Sequence, residues 1–219
     1  MAEGPVDWRS RIRERMAGTQ PLHGMEHWLV PGRTAEQSRE LLQHFSMKPV
    51  PAAVLVPLVE RDDELTVLLT QRATQLKNHA GQISFPGGRV EPDDEGPRGA
   101  ALREAQEEIG LDPSFVDVVG YLPDHVIVSG YLVTPVVAFV QPGFELLLDA
   151  GEVESTFEVP LSFLFDPQNH RTRRRRIGTS QHEIDVIDIP FGQHDIWGAT
   201  AGMIYTLYRI CMKDVAGGR

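Results

Sequence analysis

Cysteine is all but missing from this chain: Cys211 is the only one in 219 residues. No internal disulfide can form, and one thiolate cannot build a cysteine-based zinc site. Long apolar runs are missing too, since no segment approaches the roughly 20 consecutive apolar residues of a membrane span. The start, MAEGPVDWRSRIRERM, carries charges where a secretory signal needs an apolar stretch. The expectation is a cytoplasmic protein with no membrane partner. Positive charge is in deficit: 21 Lys and Arg face 31 Asp and Glu, for a formal net charge of -10. Duplex binding needs a basic surface with counterions to release, so nucleic acid is a poor partner. Carboxylates gathered round a divalent cation are one use for such an excess of acids.

What is present reads as an ordinary globular chain, with 41% hydrophobic and 24% charged residues. Trp8 to Met16 and Ala35 to Phe45 suggest two short helices on either side of Pro31-Gly32. Ala52 to Val59 and Leu65 to Thr70 are strand-like, and Asp62-Asp63 between them predicts a hairpin turn. Gln82 to Phe85, Phe115 to Tyr121, Tyr131 to Val140 and Ile184 to Ile189 are further strand candidates. Pro97 to Ile109 reads as a helix with proline in its first turn and Gly110 at its end. Thr200 to Met212 has helical spacing, with Trp197 just before it and Cys211 within it as core-filling residues. Strands mixed with few helices predict one α+β domain, residues 49–219, behind a helical extension, residues 1–48.

The chemistry concentrates in GGRVEPDDEGPRGAALREAQEEIGL, Gly87 to Leu111. On a helix Glu104, Glu107 and Glu108 stand at i, i+3 and i+4 and share one face. Like charges there repel by a few tenths of a kcal/mol per pair, so solvent, Arg103 or a cation must offset them. Taken alone, three glutamates make a solvated acidic face at least as well as a site. Carboxylate oxygens suit hard cations such as Mg²⁺ and Mn²⁺, which keep several waters and complete their shells with phosphate oxygens. Leu102, Ala105 and Ile109 form the stripe that packs the helix down. Arg103 stands beside Glu104 and four residues before Glu107, close enough to orient a carboxylate. Gly87 and Gly88 let the backbone approach closely and expose carbonyl oxygens, one of them a candidate metal ligand.

This segment resembles the Nudix box: glycine, an acidic loop residue, then Arg-Glu, a small apolar residue, a spacer, Glu-Glu, a spacer, glycine and an apolar residue. REAQEEIGL, Arg103 to Leu111, fits the ending at every fixed position. One departure concerns the loop. Counted forward from Gly88 the acidic position is Asp94, counted back from Arg103 it is Glu95, and either acid fits the outer role. The flanks resemble the coenzyme A pyrophosphatase branch of that superfamily: LLTQRATQLKNHAGQISFPGG (Leu68 to Gly88), SGYLVTPVVAFV (Ser129 to Val140) and IWGATA (Ile196 to Ala201).

The resemblance implies a Nudix α/β/α sandwich with a mixed sheet. It implies metal-dependent cleavage of CoA or acyl-CoA into 3′,5′-ADP and (acyl-)4′-phosphopantetheine. Glu104, Glu107 and Glu108 are then the expected ligands for Mg²⁺ or Mn²⁺, Glu104 or a nearby glutamate the candidate base, and Arg103 the orienting partner. Arg72, His79, Gln82, Ser84 and Gly87 are candidates to line the substrate cleft, with simple exposure the alternative for His79 and a surface cap for Arg72. The run Arg171, Arg173, Arg174, Arg175 and Arg176 reads as a solvated loop, with attraction of the CoA 3′-phosphate as its functional alternative. ADP-ribose, NADH or a nucleoside triphosphate are rival substrates. A non-catalytic nucleotide-binding module and a plain interaction domain are rival classes, and a homodimer stays open.

Overall fold

In the computed structural model, residues 6–21, 49–76, 78–127, 130–176 and 183–212 are described. The helix expected over residues 35–45 lies outside them. The run VPAAVLVPLVE becomes β1, Val50–Glu60, and it is apolar as far as Val59, as suits a strand with both its faces covered. Ala52, Val56 and Leu58 enter the core on one side of the sheet, while Ala53, Leu55 and Val59 enter the core on the other. β2, Leu65–Arg72, returns antiparallel beside β1 through the expected hairpin, where the Arg61 N–H donates to the Glu64 carbonyl at 3.2 Å.

After β3 (Ile83–Ser84) and β4 (Gly87–Arg89) comes helix α2, Gly96–Ile109; α1 is Trp8–Met16. Then follow β5 (Val116–Tyr121), β6 (His125–Ile127), β7 (Tyr131–Val140) and β8 (Val153–Pro160). A short helix α3 (Leu161–Leu164) precedes β9 (Arg171–Arg176), β10 (Glu183–Phe191), β11 (His194–Trp197) and helix α4 (Gly198–Met212).

The main sheet runs β3-β2-β1-β7-β5, with β4 on β1, β6 on β7 and β8 on β2. β1 and β7 pair in parallel, Val50 with Tyr131 through Val59 with Val140, and the other pairs are antiparallel. The sheet is therefore mixed. Helix α2 seals one face through Ala101, Ala105 and Ile109, all 1% exposed or less. On the other face lie Ile12 and Met16 of α1 and Ile204, Leu207 and Cys211 of α4. Arg11 locks these two helices by donating from Nε to the Cys211 carbonyl at 2.6 Å. Cys211 is fully buried, and burial pushes its thiol up to about 11. It is core material, as its apolar spacing suggests.

The short elements β4, β6, α3 and β11 are not among those the sequence suggests, and two longer strands depart from the expectation more instructively. β8, VESTFEVP, was not anticipated, because four polar side chains in eight residues hide a strand whose pairing comes from β2. The arginine run is not a loop but strand β9, the outer member of a three-stranded sheet ordered β11-β10-β9. Its register on β10 sets Arg171 opposite Asp188. Opposite charges across neighbouring strands attract, and Arg173 Nε lies 2.8 Å from Oδ2 of the buried Asp188. Asp188 on the partner strand thus offsets part of the arginine charge.

Candidate active site

Helix α2 starts with proline at its first positions and ends at Gly110, which adopts φ 69° and returns its N–H to the last-turn carbonyls. Between those ends the three glutamates share a face, as the spacing requires, but tertiary packing makes them unlike. The side chain of Glu108 is 4% exposed, that of Glu104 16% and that of Glu107 60%. Glu108 accepts from the Gly87 N–H at 3.1 Å and lies 3.5 Å from an Arg72 Nη. Burial raises its carboxyl to about 7, against the pull of the Gly87 amide and the Arg72 charge. Glu104 is also raised, first by burial, with Arg103 acting in the opposite direction.

Strand β4 comes flush against this face. It pairs with β1, Gly88 opposite Ala53 and Gly87 opposite Val54. A Cβ on Gly88 would sit 2.3 Å from Oε1 of Glu104, and one on Gly87 would sit 2.3 Å from the Ala53 carbonyl. Only glycines let a strand lie that close to both its neighbour and the carboxylates.

Arg103 ties the site together. It donates through Nε to Asp94 Oδ1 and through one Nη to Asp94 Oδ2, both at 3.0 Å. Its other Nη donates to Glu104 and Glu107, again at 3.0 Å, and the Arg89 carbonyl accepts at 3.1 Å. Asp94 is held below the usual carboxylate range, chiefly by the Arg103 pair, and also closes its own turn by accepting from the Glu91 N–H at 2.7 Å. Glu95, whose side chain is 89% exposed, reaches only Arg98 at 3.9 Å. Of the two acids that the sequence leaves open, Asp94 is brought to the arginine and Glu95 is not.

The remaining candidates divide. Arg72 reaches Glu108. Ser84 is tied to Thr70, hydroxyl to hydroxyl at 3.0 Å, on the sheet. His79 adopts φ 57° in an exposed turn, its Nδ1 2.9 Å from Gln82 Oε1. Gln82 lines a cleft of about 580 Å³ together with Gln71, Glu154, Gln193, Asp195 and Trp197. Trp197 is thus a cleft wall at the end of β11 rather than core filling, because only one side of that short strand is covered. Glu152, not singled out in the sequence, lies within electrostatic range of Glu104 and Glu108 and raises both. It stands in the turn before β8, its N–H donating to the Asp149 carbonyl at 2.9 Å, with no motif around it, and the Ala73 N–H, next after Arg72, donates to its carbonyl at 2.8 Å.

Among the described residues, no three His, Cys, Asp or Glu side chains already converge as a coordination shell. Arg103 instead bridges Glu104 and Glu107. The donor set is all oxygen, carboxylates beside a glycine backbone, which fits a hard divalent cation and not a thiophilic one.

A family model described as the NUDIX domain matches residues 49–179. The chain belongs to the Nudix family. "Nudix hydrolase 15, mitochondrial" of Arabidopsis thaliana is 41% identical over 162 residues, covering 72% of this chain and 57% of the relative, so the chain spans little more than half of that protein. The "Uncharacterized Nudix hydrolase NudL" of Escherichia coli K12 is 42% identical over 171 residues, covering 78% and 84%. Among solved structures, a MutT/nudix family protein from Enterococcus faecalis aligns with 97% of this chain and 76% of its own at 16% identity and a TM-score of 0.48. Membership indicates a hydrolase of a family whose members generally use divalent metal ions, and the matched stretch contains both β4 and α2. Among the described residues no helix is long and apolar enough to cross a membrane.

Proposed function

We propose that this Nudix hydrolase cleaves the diphosphate linkage of coenzyme A or an acyl-CoA with Mg²⁺ or Mn²⁺, giving 3′,5′-ADP and 4′-phosphopantetheine or its acylated form. The observation that carries the reading is the contact between the segment Leu68 to Gly88 and the box. That segment resembles the coenzyme A pyrophosphatase signature, and its Arg72 and Gly87 hold Glu108. A signature that merely decorated the surface would have no reason to brace the carboxylate helix.

In this reading Glu104, Glu107 and Glu108 hold the cation, with a carbonyl of Gly88 as a further donor. When bound, the ion eases ionisation of a water and neutralises charge on the diphosphate oxygens. Arg103, anchored on Asp94, fixes the rotamers of Glu104 and Glu107. Glu104 or a nearby glutamate is the candidate base. Arg72 sits where its charge meets both Glu108 and an incoming phosphate. The buried thiol of Cys211 suits a reducing compartment, and we take the cytoplasm as the site of action.

The test is product identification by mass after incubating the protein separately with CoA, ADP-ribose and NADH, each with Mg²⁺, with Mn²⁺ and with chelator. Metal-dependent 3′,5′-ADP and 4′-phosphopantetheine are expected. Cleavage of ADP-ribose or NADH while CoA stays intact overturns the substrate and keeps the chemistry. No cleavage of any of them favours a nucleotide-binding module, against which the intact set Arg103, Glu104, Glu107 and Glu108 speaks.

A further inference from the structure

The last turn of the carboxylate helix is completed from outside it. Gly110 and Leu111 turn their N–H groups back to the carbonyls of Gln106 and Ala105, which leaves the later carbonyls of α2 open. A separate segment, residues 144–149, closes two of them. The Leu147 N–H donates to the Ile109 carbonyl at 2.9 Å and the Asp149 N–H to the Glu108 carbonyl at 3.0 Å. Phe144, Leu146 and Leu148 pack into the same core as Ala105 and Ile109, while Leu147 between them is 80% exposed. The segment therefore lies extended across the helix end as a strap, anchored by alternate side chains. A Cβ on Gly110 would sit 2.8 Å from the Leu147 nitrogen, so the glycine that ends the helix also leaves room for the strap.

Asp149 fixes where the strap ends. Its Oδ1 accepts from the Gly151 N–H at 2.8 Å, and its carbonyl accepts from the N–H groups of Glu152 at 2.9 Å and Val153 at 2.8 Å. The turn so closed is tied to the chain that leaves β2: the Ala73 N–H donates to the Glu152 carbonyl at 2.8 Å, and Gln75 Nε2 donates to the Ala150 carbonyl at 2.9 Å. One turn thus joins the backbone of Glu108 to the residue after Arg72, and the side chains of Glu108 and Arg72 meet at 3.5 Å. A carboxylate beside the negative end of a helix is unfavourable on charge alone. The service of the exposed Asp149 is therefore the acceptor that closes the turn, which an asparagine also has.

Resting on the metal-dependent hydrolysis proposed above, we propose that Asp149 is a positioning residue for that reaction. Through the turn it closes, it holds the last turn of α2 against the end of β2, and so sets Glu108 against Arg72 in the carboxylate face that takes the cation. Asp149 itself touches neither cation nor substrate; it acts through the backbone of Glu108 and through the strap that its turn terminates.

The experiment compares Asp149→Ala and Asp149→Asn with the wild type in the full chain, well below the melting temperature of each. It measures Mn²⁺ affinity by the electron paramagnetic resonance signal of the free ion, and steady-state kinetics on whichever of CoA, ADP-ribose and NADH the wild type cleaves. It adds amide hydrogen exchange at Leu147 and Glu152. In Asp149→Ala, Mn²⁺ affinity and kcat are expected to fall about tenfold, as for a residue that supports metal ligands. KM for the substrate at saturating Mn²⁺ is kept, and both amides exchange faster. Asp149→Asn restores every one of these to the wild-type value. A residue that only stabilised the turn would lower the melting temperature of Asp149→Ala and leave Mn²⁺ affinity and kcat of the folded protein unchanged, and that result overturns the proposal. Equal losses in both variants would assign the effect to the carboxylate charge and overturn it as well. Should the wild type bind no Mn²⁺ and cleave none of the three compounds, the functional reading falls on its own, and the amides still decide the strap. Faster exchange in Asp149→Ala, reversed in Asp149→Asn, supports it, and unchanged exchange removes it.

Discussion

Arg103 spreads its donors over Asp94, Glu104, Glu107 and the Arg89 carbonyl, and a lysine has neither the planar fork nor enough hydrogens to do so. Arg103→Lys should keep its fold by circular dichroism and lose about 10- to 100-fold in metal affinity or turnover, the range for a residue that orients ligands. An unchanged metal titration would remove Arg103 from that role. Glu108 makes a different prediction because it is buried. Its folded-state carboxyl sits at about 7, above the usual value, so the folded protein binds the proton more tightly than the unfolded chain. That stabilisation is complete below the unfolded value and is lost as pH rises through about 7. In chelator, Glu108→Gln should therefore be more stable than wild type at pH 8, on the order of 2 kcal/mol. The two should converge near pH 4, and metal-dependent turnover should be lost in the variant. Melting curves at the two pH values check the sign. Glu107, with its side chain 60% exposed, should give no such gain in Glu107→Gln, only the loss of turnover.

Elements carry the constraint that single residues cannot. β4 holds two glycines because a strand, a neighbouring strand and a carboxylate compete for one space. Gly88→Ala puts a methyl 2.3 Å from the Glu104 carboxylate, so either β4 or Glu104 must move. A destabilisation of about 1–3 kcal/mol, together with a loss of activity larger than that of any neighbouring exposed substitution, is expected from urea titration and kinetics. Normal activity would mean that Glu104 has room that the packing does not show. Legibility at this scale followed burial. β1 and β7 are apolar on both faces and could be read directly; β7 was expected over the residues it occupies, Tyr131–Val140. β8 and β9 could not, since one is half polar and the other is arginine-rich, and each becomes a strand by pairing with a partner distant in sequence. Asp94 against Glu95 was illegible for a related reason: adjacent loop acids differ only in where the turn aims them.

Over the whole molecule, the helix at residues 8–16 is part of the core although the family match starts at residue 49. Ile12 and Met16 are 0% exposed, and Arg9 and Arg13 reach Glu60 and Asp117 on the sheet at 2.6 and 2.7 Å. Ile12→Ala should cost about 2–5 kcal/mol by chemical denaturation, while kcat at saturating substrate and metal stays within a few-fold of wild type. A silent substitution would show that α1 covers the sheet without stabilising it. The amino-acid sequence determined by itself what is local: the amphipathic register of α2, the shared face of Glu104, Glu107 and Glu108, the glycine pair ahead of it, and the strands buried on both sides. Only the tertiary structure decided which glutamate is buried, which loop acid holds Arg103, that Glu152 stands beside the site, and that Arg173 meets the buried Asp188 across a strand. Those outcomes depend on partners tens of residues away, and solvent exclusion and charge pairing exist only once the sheet has brought them together.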